Sequence, residues 1–284
     1  MKIDVLGVGV NADTKNTIIF LIKKLLTEQQ RIFIVTPYSE MIVRAQKDNG
    51  FRDILNSATF SLPDGIGVLW AAHYLSLFPS PVPGRDQGRG RKLLKLIASL
   101  LAIIFNPQSL RSPIPEKISG SDFIWDLTKL AVDRGHSVFL LGGFGNTADL
   151  AADKLKSKFP NLKIAGTFSP PKSSTSSPLR GEDKGGGDII ERINSSQADF
   201  LFVALGPVAQ EKWIAENLPK LKVKLAIGLG GTFDYMASKV PLAPQIWRNL
   251  GLEWLWRLLT QPWRVVRVSK GVLGLIWYCV KARV

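Results

Sequence analysis

Apolar residues in this chain fall into short continuous runs separated by amphipathic stretches. The clearest runs are Arg31-Ile32-Phe33-Ile34-Val35, Val138-Phe139-Leu140-Leu141-Gly142-Gly143, Phe200-Leu201-Phe202-Val203-Ala204 and Leu225 to Leu229. Such runs lack alternation, which suits strands buried on both faces of a sheet. The pattern predicts a first strand over about 3–10, a helix over 14–28 with Asp13 as its N-cap, and a strand over 31–35. Helices over 38–48 and 51–57, a strand over 58–62 and a helix over 65–75 follow. The second half reads as helix 121–134, strand 138–143, helix 146–158, strand 162–166, helix 188–196, strand 200–204, helix 208–218 and strand 225–229. Strand–helix alternation with glycines at the strand exits argues for an α/β fold. The expected architecture is a doubly wound, mostly parallel, Rossmann-like sheet, as one unit or as two packed halves.

The composition does not disturb that picture. The chain has 284 residues, 45% hydrophobic and 21% charged, enough for a sizeable core without disulfide or metal staples. Cys279 is the sole cysteine, so it reads as a small packed hydrophobe and suggests a reducing compartment. Met1 runs straight into the first strand, and no secretory signal is expected. The longest apolar stretch, Leu93 to Phe105, is interrupted by Lys95 and Ser99. It falls short of the roughly 20 residues that span a bilayer, so the chain is not expected to cross one. Ser169 to Gly187 is low in complexity and reads as a surface loop.

Charge changes the picture. The formal net charge is +14 and the isoelectric point is near 9.9, which favours an anionic partner. Residues 239–284 hold eight Lys/Arg against Glu253 alone, and residues 85–117 hold seven against Asp86 and Glu116. Those segments, at +7 and +5, carry +12 of the +14. The first also contains Trp247, Trp254, Trp256, Trp263 and Trp277, five of the eight tryptophans. Cations interleaved with Trp and Leu describe a membrane interface better than a nucleic-acid groove.

Candidate chemistry lies at the strand exits, where open α/β sheets bind ligands. Asp64, between Pro63 and Gly65, reads either as a helix N-cap or as a general base at the ligand edge. Thr36 could hold a phosphate or a sugar hydroxyl, or simply make a turn. Gly142-Gly143-Phe144-Gly145-Asn146 before a helix would let backbone N–H groups approach a diphosphate. The next strand ends Ile164-Ala165-Gly166-Thr167 without the acid a dinucleotide ribose wants, and no P-loop occurs. Asp-x-Asp is absent, and His73 and His136 read as ordinary helix or turn residues, so no metal and no cofactor is expected. Arg257, Arg264 and Arg267 fall within about 80° on one face if their helix is uninterrupted. Pro262 makes that conditional. Such a face could clamp a leaving diphosphate or touch lipid headgroups.

These residues resemble a known group, the WecG/TagA/CpsF family of bacterial glycosyltransferases. The likeness runs through Thr36-Pro37-Tyr38-Ser39-Glu40, Ala45-Gln46-Lys47-Asp48, Leu62-Pro63-Asp64-Gly65-Ile66-Gly67-Val68 and Ile118-Ser119-Gly120-Ser121-Asp122. It continues through Phe139-Leu140-Leu141-Gly142-Gly143, Gly206-Pro207-Val208-Ala209-Gln210-Glu211-Lys212-Trp213, Gly230-Gly231-Thr232-Phe233-Asp234 and Gly251 to Leu258. The resemblance implies an inverting, metal-independent transferase that uses a UDP-hexose, such as an N-acetylmannosamine or glucose donor. The implied acceptor is a sugar on polyprenyl diphosphate, used in cell-wall polymer or exopolysaccharide synthesis. By motif, Asp64 becomes the base, and Thr36 and Gln210 position the donor. Asp234 lines the nucleotide pocket beside Gly230 and Gly231, and the three arginines close the site from a membrane-touching appendage. Tyr38 stands where the family has Asn and is kept as a candidate substrate contact, with Gly142 and Gly143.

The organisation expected is a core over 1–238, with a basic apolar insertion at 78–117 for further membrane or acceptor contact and a loop at 169–187, then an appendage over 239–284. Expected partners are a UDP-sugar donor, a lipid-linked sugar acceptor and an anionic membrane surface, with no nucleic acid and with self-association left open. The expected location is cytoplasmic, peripheral on the inner face of the cell membrane. Rival readings are a non-catalytic nucleotide-binding module at the membrane, a nucleic-acid binder and a dehydrogenase.

Overall fold

The computed structural model describes residues 1–78, 89–170, 185–244, 246–247, 253–262 and 265–283. The chain opens on a β-hairpin, β1 (Lys2–Val5) and β2 (Val8–Asn11), paired antiparallel. The single strand expected over 3–10 is therefore two. Leu6 and Gly7, both at positive φ, make the two-residue turn that matches strand twist. Asn11 Oδ1 accepts the Ser61 N–H at 2.8 Å, which fastens the hairpin to the edge of the main sheet.

After α1 (Lys15–Thr27) come β3 (Ile32–Val35), α2 (Ser39–Ala45), α3 (Asn49–Ser57), β4 (Phe60–Ser61) and α4 (Ile66–Ser76). Thr14, not Asp13, caps α1 by accepting from Thr17 N; Asp13 is engaged instead by the N-terminal ammonium at 2.8 Å. The insertion contributes α5 (Arg89–Phe105) and a 3-10 turn (Pro107–Leu110), followed by α6 (Gly120–Asp133). Then β5 (Ser137–Gly142), α7 (Thr147–Lys158), β6 (Lys163–Phe168), α8 (Gly185–Ser195), β7 (Phe200–Ala204), α9 (Ala209–Asn217) and β8 (Leu225–Gly228) complete the sheet region. The chain continues through α10 (Thr232–Met236), α11 (Glu253–Thr260) and α12 (Val265–Lys281).

The six strands β3 to β8 form one parallel sheet in the order β4-β3-β8-β7-β5-β6, a single unit rather than two packed halves. Alternate residues on each strand feed opposite cores. Phe33, Val35, Leu141 and Val203 pack under α2, α4, α9 and α12, while Ile32, Ile34, Leu140 and Phe202 pack under α1, α6 and α7. That explains the unbroken apolar runs: β3, β5, β7 and β8 are buried on both faces. Helices on both faces make the fold doubly wound and Rossmann-like. Leu275 and Cys279 of α12 are buried in the first core, so the last helix is seated on the domain. Among the described residues, no helix is long and apolar enough to cross a membrane.

Candidate active site

Parallel strands bring their carboxyl ends to one edge. Along it lie Asp64 after β4, Thr36 after β3, Gly230 and Gly231 after β8, Gln210 at the start of α9 after β7, and Gly142 and Gly143 at the end of β5.

Asp64 and Thr36 meet through one backbone turn. The Asp64 N–H donates to Pro37 O at 3.1 Å, and the Ile118 N–H donates to Pro63 O at 2.8 Å. These bonds draw the start of α6 against both strand exits. Asp64 Oδ2 accepts the Gly120 N–H at 3.5 Å, and a methyl added to Gly120 would lie 3.6 Å from Thr36 Oγ1. Thr36 itself is buried and donates to Gly228 O at 3.4 Å. The N-cap position of α4 is Gly65, at φ 93°, so half-buried Asp64 stands one residue before the N-cap. Tyr38 caps α2 from an extended backbone, and its hydroxyl donates to Glu40 at 3.3 Å.

A second cluster underlies the glycine loop after β8. Gln210 is 2% exposed; its Nε2 donates to Glu211 Oε1 at 2.7 Å and its Oε1 accepts the Gly230 N–H at 2.9 Å. Glu211 is fully buried, and its Oε2 accepts the Val208 N–H at 2.7 Å. Burial pushes the Glu211 carboxyl up to about 7, against the bonds from Gln210 and Val208 that pull it down. Val208 is β-branched yet sits at φ 71°, a strained conformation that this bond holds. Asp234, half-buried on α10, lies near Gly231, whose added methyl would come 3.8 Å from its Oδ2.

Gly142 and Gly143 stand apart from Asp64. Four strand spacings separate β4 from β5, roughly 19 Å at about 4.8 Å each. Their glycines have packing reasons: a methyl on Gly142 would lie 2.4 Å from Ala204 O, and one on Gly143 2.5 Å from Thr147 Cβ. Lys239 caps this turn, donating to Thr147 Oγ1 at 2.6 Å, Asn146 Oδ1 at 3.2 Å and Phe144 O at 3.3 Å. Arg264 lies outside the described residues, as do the side chains of Arg257 and Arg267. Arg257 is on α11 and Arg267 on α12, with Pro262 between, so the uninterrupted helix that would align the three does not form.

Sequence reading assigned no role to Gly120, Glu211 or Lys239. Gly120 and Glu211 stand inside motifs quoted for the resemblance, which was the available signal; Lys239 carried none. His73 meets Ser112 O at 2.9 Å and His136 lies 3.4 Å from Asp199, both ordinary structural pairings. Among the described residues no group of three His, Cys, Asp or Glu converges as a metal site. A cavity of about 640 Å³ lined by Ile190, Asn194 and Lys220 lies under the amino ends of the strands, away from this chemistry.

The model of the glycosyl transferase WecG/TagA/CpsF family matches residues 3–88 and 102–284. Two similar proteins of Staphylococcus aureus, from strains MRSA252 and NCTC 8325, are each named N-acetylglucosaminyldiphosphoundecaprenol N-acetyl-beta-D-mannosaminyltransferase. Each is 24% identical over 284 residues, with 99% of this chain and 93% of the relative covered. A match over nearly the whole chain, on a Rossmann-like sheet whose exits gather Asp64, Thr36 and the Gly230 loop, shows that this chain belongs to the WecG/TagA/CpsF family and is a glycosyltransferase.

Proposed function

We propose that the protein transfers a hexose, of the N-acetylmannosamine type or glucose, from a UDP-sugar to a sugar carried on polyprenyl diphosphate, with inversion and without a metal. The observation that carries this reading is the meeting of Asp64 and Thr36 at Gly120 on the carboxyl edge of the sheet. The names of the Staphylococcus aureus relatives support the acceptor class and the mannosamine donor.

In this mechanism Asp64 takes the proton from the acceptor hydroxyl, whose oxygen attacks the anomeric carbon of the donor. The bond from that carbon to the diphosphate oxygen breaks on the opposite face, and UDP departs with the electron pair. Thr36 and Gln210, with Tyr38, set the donor's sugar and diphosphate, Gln210 acting by fixing the Gly230 loop. Gly230, Gly231 and Asp234 hold the nucleotide. Arg257, Arg264 and Arg267 neutralise the leaving diphosphate, as guanidinium does without a metal. The appendage works at the inner face of the cell membrane, with Val266, Leu273 and Trp277 exposed on α12.

The test is UDP release from a panel of UDP-sugars, with and without chelator, using a lipid-linked N-acetylglucosaminyl diphosphate acceptor. Release that needs the acceptor, survives chelator and vanishes in Asp64→Asn is expected. Failure to bind any UDP-sugar would overturn the reading.

A further inference from the structure

Helix α5 is apolar on two sides: Leu96, Leu100 and Ile103 pack against the core, and a second apolar face is left over. At 100° per residue, Leu93, Leu94, Ile97, Leu101, Ile104 and Phe105 fall, with Ala98, in an arc of about 140°. That arc faces outward: Leu94 is 70% exposed, Ile104 64% and Phe105 78%. Two polar residues turn inward beside Leu96, Leu100 and Ile103. Lys95 Nζ donates to Leu77 O at 3.2 Å and lies 4.7 Å over the Phe78 ring, and buried Ser99 accepts the Trp70 indole N–H at 3.0 Å. Soluble surfaces rarely keep so continuous an apolar patch uncovered.

We propose that α5 is a second lipid-docking element, lying in the headgroup plane of an anionic bilayer with its outer face in the acyl boundary. The charge pattern selects this occupant. No acidic residue occurs within 89–105; Arg89, Arg91 and Lys92 cluster at one end of the helix, and Arg111 and Lys117 follow the other. Bases flanking an apolar face are what an anionic interface attracts. Seventeen residues span about 26 Å along the helix, laid flat rather than crossing. The tail comes close to it, because α5 and the residues after α12 both bond the end of α4: Lys95 donates to Leu77 O, and Arg283 to Leu75 O at 3.1 Å. The family match breaks off at residue 88 and resumes at 102, so most of this helix lies outside it. The inference rests on the reading that the acceptor is membrane-borne.

The test is sedimentation of the full chain with vesicles of equimolar phosphatidylglycerol and phosphatidylcholine. It compares wild type with the double variants Leu94→Gln/Leu101→Gln and Leu94→Glu/Leu101→Glu. Both sites face outward, so the fold should survive; transfer to an N-acetylglucosaminyl diphosphate on a short, water-soluble alkyl chain verifies it. Expected is a loss of vesicle affinity of about tenfold or more for each double variant, with soluble-acceptor turnover unchanged. Unchanged vesicle binding overturns the proposal. If the variants instead turn a wild-type oligomer monomeric while vesicle binding holds, the face belongs to a second copy. If wild type ignores vesicles yet turns over the soluble acceptor, the docking inference falls and the transferase reading stands.

Discussion

The Gln210 side chain accepts the Gly230 N–H at 2.9 Å, so a buried amide on α9 fixes the first glycine of the loop after β8. That bond determines the orientation of the amide, since the Gly230 N–H must meet the oxygen, which leaves the nitrogen to donate to Glu211 at 2.7 Å. Space is tight as well: a methyl on Gly228 would lie 2.7 Å from the Gln210 nitrogen and 2.9 Å from Glu211. The loop proposed to hold the nucleotide therefore rests on a fully paired polar pair in the core.

Gln210→Ala should lower stability by about 1–3 kcal/mol, because it leaves the Gly230 N–H and a buried carboxyl without their partner. Urea midpoints would measure that. Donor KM should rise as the loop loosens, a shift that mere loss of stability does not produce.

Glu211 gives stability a specific pH dependence. Its folded value, about 7, lies above the ordinary 4.5, so the native state prefers the neutral acid. The contribution is full below about pH 4.5 and is lost as pH rises through 7, at about 1.4 kcal/mol per unit, levelling beyond. The difference between wild type and Glu211→Gln in unfolding free energy, followed from pH 4 to 8, should fall over that window. A flat difference would refute the assignment.

Two glycines separate packing from binding. Gly142→Ala places a methyl 2.4 Å from Ala204 O at φ 121°, and should cost at least about 2 kcal/mol of stability. Gly230→Ala meets nothing within 4 Å and should cost about 1–2 kcal/mol for its left-handed backbone alone. Thermal melts report both, and donor affinity lost in Gly230→Ala beyond that measure marks ligand contact.

Asp64→Asn keeps the shape of the turn but cannot take a proton. Turnover should fall by roughly 10²–10⁴-fold while donor KM changes little. An active variant would remove Asp64 as the base.

Vesicle binding should weaken as ionic strength rises from about 0.01 to 1 M, where screening shortens from about 30 to 3 Å. The basic segments, +7 and +5, lose their attraction first, and the apolar faces leave a residual that salt does not abolish.

Much of the fold was legible because its signals are local. The runs at 32–35, 138–142, 200–204 and 225–228 announced buried parallel strands, and the residues after them marked the ligand edge. The break between β1 and β2 carries no local signal, since Leu6-Gly7 lacks the Asn or Asp that advertises such a turn. Asp64 was legible as a residue of interest but not as a base or a cap. Gly65 at φ 93° takes the N-cap position, and that is a matter of backbone torsion, which residue type alone does not specify.

By itself, the sequence determined the strand order along the chain, the candidate residues at the strand exits and the location of the charge. These depend on residue type and on periods of two or 3.6, which neighbouring positions encode. Only the tertiary structure decided that the strands make one sheet, that Gln210 and Glu211 brace Gly230, and that Arg257 and Arg267 ride separate helices. Only it showed α5 turning Lys95 and Ser99 inward and Leu93, Leu94 and Leu101 out. Periodicity defines a helix's apolar side; which side meets protein is set by partners such as Trp70 and Leu77, brought there by the fold.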